Sequence, residues 1–277
     1  PAEPLVADAH HLLRGAAPEK AVTTHPAIVR AAAIEVLGAG ATAAYGDSPG
    51  FGSVQGAAKR SRLRPLEAEL GIGLADFSEG ETRPFPDGAL CKQFTVAKAV
   101  LDADGVISLP KLKTHALTRM TGAVKNQFGC IPGFQKGEFH ARLPEMDRFA
   151  TMLVDLARFV APRLYIMDAI VAMEGNGPGS GTPRATNAVL VSADPVAMDA
   201  AACRIMNLDP MLAPTVRWGH ELGLGDALGY ECAGDDIEAF VVRDFNANRR
   251  TGSTTGAMNG LIARIMKNLL TPRPVIE

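Results

Sequence analysis

Between Asp104 and Glu138 the chain carries five cations, Lys111, Lys113, Arg119, Lys125 and Lys136, and no acidic residue. Two of them fall in Leu109-Pro110-Lys111-Leu112-Lys113-Thr114-His115, and a third in Thr121-Gly122-Ala123-Val124-Lys125-Asn126. Ammonium groups beside glycine-flanked backbone amides suit phosphate or carboxylate recognition. Each charge-assisted hydrogen bond of that kind contributes ~1.5–3 kcal/mol. Lys111, Lys113, Thr114 and Asn126 are therefore candidate ligands for an anion, with Lys125 as a candidate for catalysis. His115 stands among cations that lower an imidazole pKa, which makes it the candidate general acid or base. A solvated basic loop holding an ordinary structural histidine is the plainer alternative.

Three further clusters have chemical potential. Asp47-Ser48-Pro49-Gly50 offers a carboxylate, a hydroxyl and a small residue that lets backbone approach a ligand. Asp47, Ser48 and Gly50 are candidate binding residues, although such a run is also a good plain turn. Asp168 precedes Gly175-Asn176-Gly177-Pro178-Gly179-Ser180-Gly181, which leads to Arg184. We take Asp168 as a catalytic candidate and Asn176, Gly177 and Arg184 as binding candidates, Arg184 for a forked anion contact. No Gly-Lys-Ser/Thr closes this glycine loop and no helix opens directly from it, so it is neither a Walker loop nor a dinucleotide fingerprint. Asp194-Pro195 has the form of a helix cap, and Asp199 lies one turn further on.

The elements around these clusters alternate. The spacing predicts helices over 26–37, 95–102, 146–160, 195–206 and 261–270, and a helix or turn over 118–128. Strands are expected at 41–45, 105–109, 164–167, 188–191 and 238–242, with short strands or turns over 73–95. The lysine segment reads as a loop after the strand ending at Leu109, and 246–260 as a polar surface segment. Alternation of this kind implies an α/β fold: a mostly parallel, doubly wound sheet with helices on both faces and a small antiparallel insertion. Ligands of such sheets sit beyond the C-terminal strand ends, where these clusters fall. One α/β domain over 1–277 is expected, with a small subdomain around 73–95.

Composition narrows the function classes. Net charge is −2, so no overall field draws the chain to nucleic acid or to a membrane. No run approaches the ~18 apolar residues of a membrane span, and no signal peptide is visible, so a cytoplasmic location is expected. Cys91, Cys130, Cys203 and Cys232 are too scattered for a CxxC metal or redox motif, and no metal ligands are assigned.

Taken together, Thr23-Thr24-His25-Pro26, Gly46-Asp47-Ser48-Pro49-Gly50, the two lysine segments, Glu174-Gly175-Asn176-Gly177-Pro178 and Asp194-Pro195-Val196-Ala197-Met198-Asp199 resemble the "domain of unknown function 362" family. The likeness extends from about residue 12 to 245. It implies that the lysine and glycine segments are functional. It also implies a C-terminal ferredoxin-like module with iron–sulfur clusters, expected outside these residues. One departure is Ala9-His10-His11 before Leu12-Leu13, where similar proteins have Lys-Pro-Asn. The segment 24–50 is also similar to the N-terminal domain of nickel-dependent lactate racemase. The expectation is a redox-linked enzyme domain that binds an anionic small molecule and is served by an electron-transfer partner or ferredoxin-like module. A non-redox isomerase or transferase, or a non-catalytic anion-binding module, is the alternative.

Overall fold

The computed structural model describes residues 5–8 (backbone only), 15–50, 52–133 and 135–247. In chain order the first half contains β1 (Leu5–Asp8), α1 (Pro26–Gly38), β2 (Ala43–Gly46), α2 (Val54–Arg60), α3 (Pro65–Leu70), β3 (Gly73–Leu74), β4 (Gly80–Pro84), β5 (Gln93–Ala97) and α4 (Lys98–Leu101). There follow β6 (Gly105–Ser108), β7 (Lys111–His115), β8 (Arg119–Thr121), α5 (Ala123–Asn126) and α6 (Gln135–Arg142). The last group is α7 (Met146–Val160), β9 (Leu164–Glu174), β10 (Thr182–Ser192), α8 (Pro195–Ile205) and α9 (Pro214–Glu221).

Eight strands form the main sheet in the order β3-β2-β1-β6-β9-β7-β8, with β10 antiparallel to β9. Pairings among β3, β2, β1, β6 and β9 are parallel, and β4–β5 form a separate antiparallel pair. The mostly parallel α/β sheet with a small antiparallel insertion is therefore observed. Successive residues of inner strands pack to opposite sides. Ile107 and Ile166 join Val29, Ala33 and Leu66 from α1 and α3, whereas Tyr165 and Met167 join Phe149, Leu153 and Leu156 of α7. Helices thus cover both faces.

Local chemistry sets the helix ends. His25 caps α1 by accepting the Ala27 N–H at Nδ1 (3.2 Å), with Pro26 at the first position. Asp194 caps α8 through the N–H groups of Val196 and Ala197 (2.7 and 2.9 Å). After α7 comes Ala161 in the left-handed region, then Pro162, which cannot continue a helix.

Several elements differ from the sequence expectation: within 118–128 the residues Arg119–Thr121 form the strand β8 before the short α5, and the strand expected at 164–167 runs on to Glu174. The lysine segment is the strand β7, which pairs parallel to β9 and forms a hairpin with β8. Leu112 enters the core while the lysines alternate with it, a period-2 strand pattern concealed by its charges. Residues Thr95–Ala97 continue β5 against β4, so the helix starts only at Lys98. In place of a strand at 238–242 there is one 3-10 turn, Ile237–Phe240, capped by Asp236. Of the expected polar segment 246–260, residues 248–260 lie outside the described residues, as does the helix expected over 261–270. No described helix is long and apolar enough to cross a membrane.

Candidate functional site

Strands β6 and β7 flank β9 one after the other. β6 pairs with the start of β9 (Ser108↔Tyr165), and β7 with its continuation (Lys111↔Asp168, Lys113↔Met173). β9 therefore runs on past the end of its parallel neighbour. Asp168, expected just after a strand, lies within one, yet still beyond the C-terminal edge of β6. Pro110, between β6 and β7, spends its carbonyl on the Asp168 N–H (2.8 Å).

Charge collects at this edge. Lys111 donates from Nζ to Asp168 Oδ2 at 2.7 Å, and both side chains are almost fully buried. The same oxygen accepts the His25 N–H at 2.8 Å, and Ile170 N–H reaches Oδ1 at 3.3 Å. Lys113, wholly buried, gives one hydrogen bond to the Val22 carbonyl at 2.7 Å. Burial lowers its pKa well below the lysine range, and Lys125 and Lys111 push the same way; Asp47 opposes. Lys125 is 3% exposed. Its Nζ lies 5.4 Å from the Phe128 ring centroid and makes no hydrogen bond or ion pair among the described residues. Burial, aided by the Lys136 charge, brings its pKa down to about 7.

Asp47 follows β2 and is fully buried. Burial raises its carboxyl to about 8, against the pull of Lys136 and Lys113. The Lys136 ammonium, from α6, stands 4.0 Å from Asp47 Oδ1 and donates to the Ser48 carbonyl. Ser48 Oγ accepts the Gly133 N–H (2.7 Å), tying this turn to the segment before α6. Asn126 and Gln127 both direct amide N–H groups at Ser108 Oγ, at 2.9 and 2.8 Å. The buried Thr23 Oγ1 and Gln127 Oε1 have no hydrogen-bond partner among the described residues.

His115 Nδ1 accepts the N–H groups of Leu117 and Thr118 (3.1 and 3.2 Å), which puts the ring proton on Nε2. Burial and the neighbouring Lys125 charge hold its pKa well below the usual range. The ring is thus a neutral hydrogen-bond donor. His140 of α6 is likewise pushed down, to about 4, by burial and by Lys125. It stacks on Phe149, centroids 4.5 Å apart.

Sequence comparison assigns the fold to a family. The model for the "Domain of unknown function (DUF362)" family matches residues 10–204. The chain belongs to the DUF362 family. It is 41% identical over 215 residues to a thylakoid-associated protein of Synechocystis sp., a match covering 77% of this chain and 66% of that protein. Among solved structures, the lactate racemase apoprotein of Thermoanaerobacterium thermosaccharolyticum aligns with a TM-score of 0.45 and 12% identity, over 74% of this chain and 49% of its own. A Thermotoga maritima protein gives 0.36 and 12%, over 69% and 50%. The DUF362 chain thus spans about two thirds of the first relative and half of the structural neighbours.

Of the residues singled out from the sequence, Asp47, Ser48, Lys111, Lys113, Lys125 and Asp168 meet in this one buried cluster, with His115 and Asn126 beside it. The glycine loop meets it only through Thr114. Thr114 Oγ1 donates to the Gly175 carbonyl (3.0 Å) and accepts the Gly177 N–H (3.2 Å). Gly177 is required there, since a Cβ would lie 2.1 Å from the Thr114 carbonyl. Asn176 is exposed at the head of this loop. Gly50 ends the turn after Asp47, outside this side-chain network. Arg184 pairs instead with Asp244 and with Glu174 (3.7 Å), which holds the loop to the chain near Asn246.

Two anchoring residues were not among the site residues expected from the sequence. Asp155 on α7 accepts the N–H groups of Ala89, Leu90 and Cys91 at 2.7–2.8 Å. Asp199, one turn beyond the Asp194 cap, caps α5 across the core, taking Ala123 N–H at 2.5 Å and Val124 N–H at 3.1 Å. It thereby fixes the helix that carries Lys125. A signal existed in the Gly122 that precedes α5, where any Cβ would sit 2.0 Å from Asp199 Oδ1. Among the described residues no group of three or more His, Cys, Asp or Glu side chains is placed to hold a metal ion.

Proposed function

We propose that this DUF362 domain binds a small carboxylate- or phosphate-bearing molecule on its buried lysines. One observation carries the reading: the Lys125 ammonium is removed from water with no acceptor among the described residues. A buried charge of this kind costs several kcal/mol unless it is paired or gives up its proton. Lys113, whose one hydrogen bond among the described residues goes to a carbonyl, adds to the deficit of negative charge. An entering anion supplies the missing partner, restores both ammonium groups and receives charge-assisted hydrogen bonds. His115, neutral with a proton on Nε2, contributes a further donor, and the Thr23 hydroxyl, unpaired among the described residues, another.

In an enzyme, Lys125, titrating near neutrality, would exchange the proton with the bound molecule. Asp168 would act through Lys111, which it holds in place. The finer form of the proposal, a redox-linked enzyme served by a ferredoxin-like module, rests on the family resemblance alone. A cytoplasmic location is likewise a proposal, and the Synechocystis relative is described as thylakoid-associated.

Titration calorimetry with inorganic phosphate and with lactate tests the anion site. Saturable binding to the parent chain and its loss in Lys125→Met is the expected result. Equal binding by both chains would place the anion elsewhere.

A further inference from the structure

Lys125 differs from the other buried lysines in more than charge. Lys111 is held by Asp168, Lys113 by the Val22 carbonyl, and Lys136 by Ser48 and Asp47. Each of these nitrogens is committed to an oxygen. The Lys125 nitrogen is not, among the described residues, and its near neighbour is the apolar Phe128 ring. An amine buried against an apolar group and flanked by other cations is the environment that makes lysine a nucleophile. The first turn of α5, pinned by the two amide contacts to Asp199, holds it in one place.

We propose that Lys125 forms an imine with the carbonyl group of a small 2-oxo acid. The inference rests on the anion-binding reading above and narrows it. In a 2-oxo acid the carboxylate is bonded directly to the carbonyl carbon. Lys125 is close enough for its charge to act on Lys113, so a carboxylate lying against Lys113 presents that carbon to the Lys125 nitrogen. The nitrogen lone pair bonds to the carbon while the carbonyl π pair moves onto oxygen. Both nitrogen protons of the neutral amine then leave with that oxygen as water, and a C=N bond remains. No oxidant or reductant takes part. The lowered proton affinity of Lys125 supports the step, because the attacking form is the free amine.

Borohydride reduction during incubation with pyruvate tests this, read by intact mass and peptide mapping. One reduced pyruvyl adduct per chain, mapped to Lys125 and suppressed by excess lactate, is expected. Lactate has the same carboxylate but no carbonyl, so it competes without reacting. Mapping uses the parent chain, and the result does not depend on a variant folding; Lys125→Arg, where it folds, gives no adduct. Lactate binding without an adduct, or adducts spread over surface lysines, overturns the imine and leaves the anion site standing. Absence of both lactate binding and adduct overturns both.

Discussion

An ordinary lysine titrates at ~10.4, whereas Lys125 titrates at about 7. Between those values the unfolded chain holds a proton that the folded chain has released. Stability therefore rises with pH across that window, and the penalty is complete below about pH 7. Asp47 works in the opposite sense. With its carboxyl raised to about 8, the folded chain holds the extra proton and stability falls as pH climbs from the usual carboxylate range toward that value. Replacing Lys125 by Met removes the first effect alone. We expect Lys125→Met to be more stable than the parent by about 2–4 kcal/mol near pH 6, a margin that shrinks toward pH ~10. Urea unfolding across the pH range measures it; a constant margin would mean that Lys125 does not titrate in this window. At this scale the sequence was informative about type and less so about commitment. The lysines, Asp47 and Asp168 were visible as chemically unusual residues near strand ends. Which of them would be occupied was not, because Lys113 finds its acceptor at Val22 and Lys111 its carboxylate at Asp168, both far along the chain.

Short α5 is too small to persist by its own hydrogen bonds, since helix nucleation is unfavourable and four residues add little propagation. It depends on Asp199, which satisfies two buried N–H groups from the neighbouring α8. Removing that carboxylate leaves both donors unpaired, at about 1–3 kcal/mol each. Asp199→Ala should therefore lose roughly 2–5 kcal/mol of stability by urea unfolding and weaken phosphate binding, because the turn that positions Lys125 loosens. A fully stable Asp199→Ala chain would show that packing alone holds α5. Gly177→Ala is expected to destabilise in the same assay by about 1–3 kcal/mol, through its clash with the Thr114 carbonyl. Elements with plain periodicity, α1 and α7 above all, were legible because their apolar stripes and stop residues agree. The strand β7 was not. Two lysines in five residues suggest solvent, and only the tertiary partners Asp168 and Val22 make their burial tolerable. β9 was legible for its first residues alone, because its continuation is set by pairing with β7 and β10 on either side.

Across the whole molecule, a net charge of −2 conceals a local cluster of buried lysines. The sheet accounts for the contrast. Its parallel strands end at one edge, the β7–β8 hairpin and the long β9 extend past that edge, and the core clusters on both faces remain apolar. The misfit is thus confined to one place, and the rest of the fold offsets its cost. A ligand that binds only the folded state adds RT ln(1 + [L]/Kd), about 2.7 kcal/mol at a hundredfold excess over Kd. This is comparable to the cost assigned above to Lys125. The two effects make the order of stabilities depend on ligand. Without anion, Lys125→Met melts above the parent chain. As phosphate is added the parent's melting temperature climbs while the variant's stays nearly level, so the gap closes and then reverses. Lowering the pH toward 6 protonates more of Lys125 beforehand, so the same phosphate concentration moves the parent further, and the folded protein takes up fewer protons on binding. Parallel phosphate titrations of the two melting temperatures at two pH values measure the reversal. Curves that rise together would mean that phosphate acts on the protein surface as a whole and not through this buried cluster.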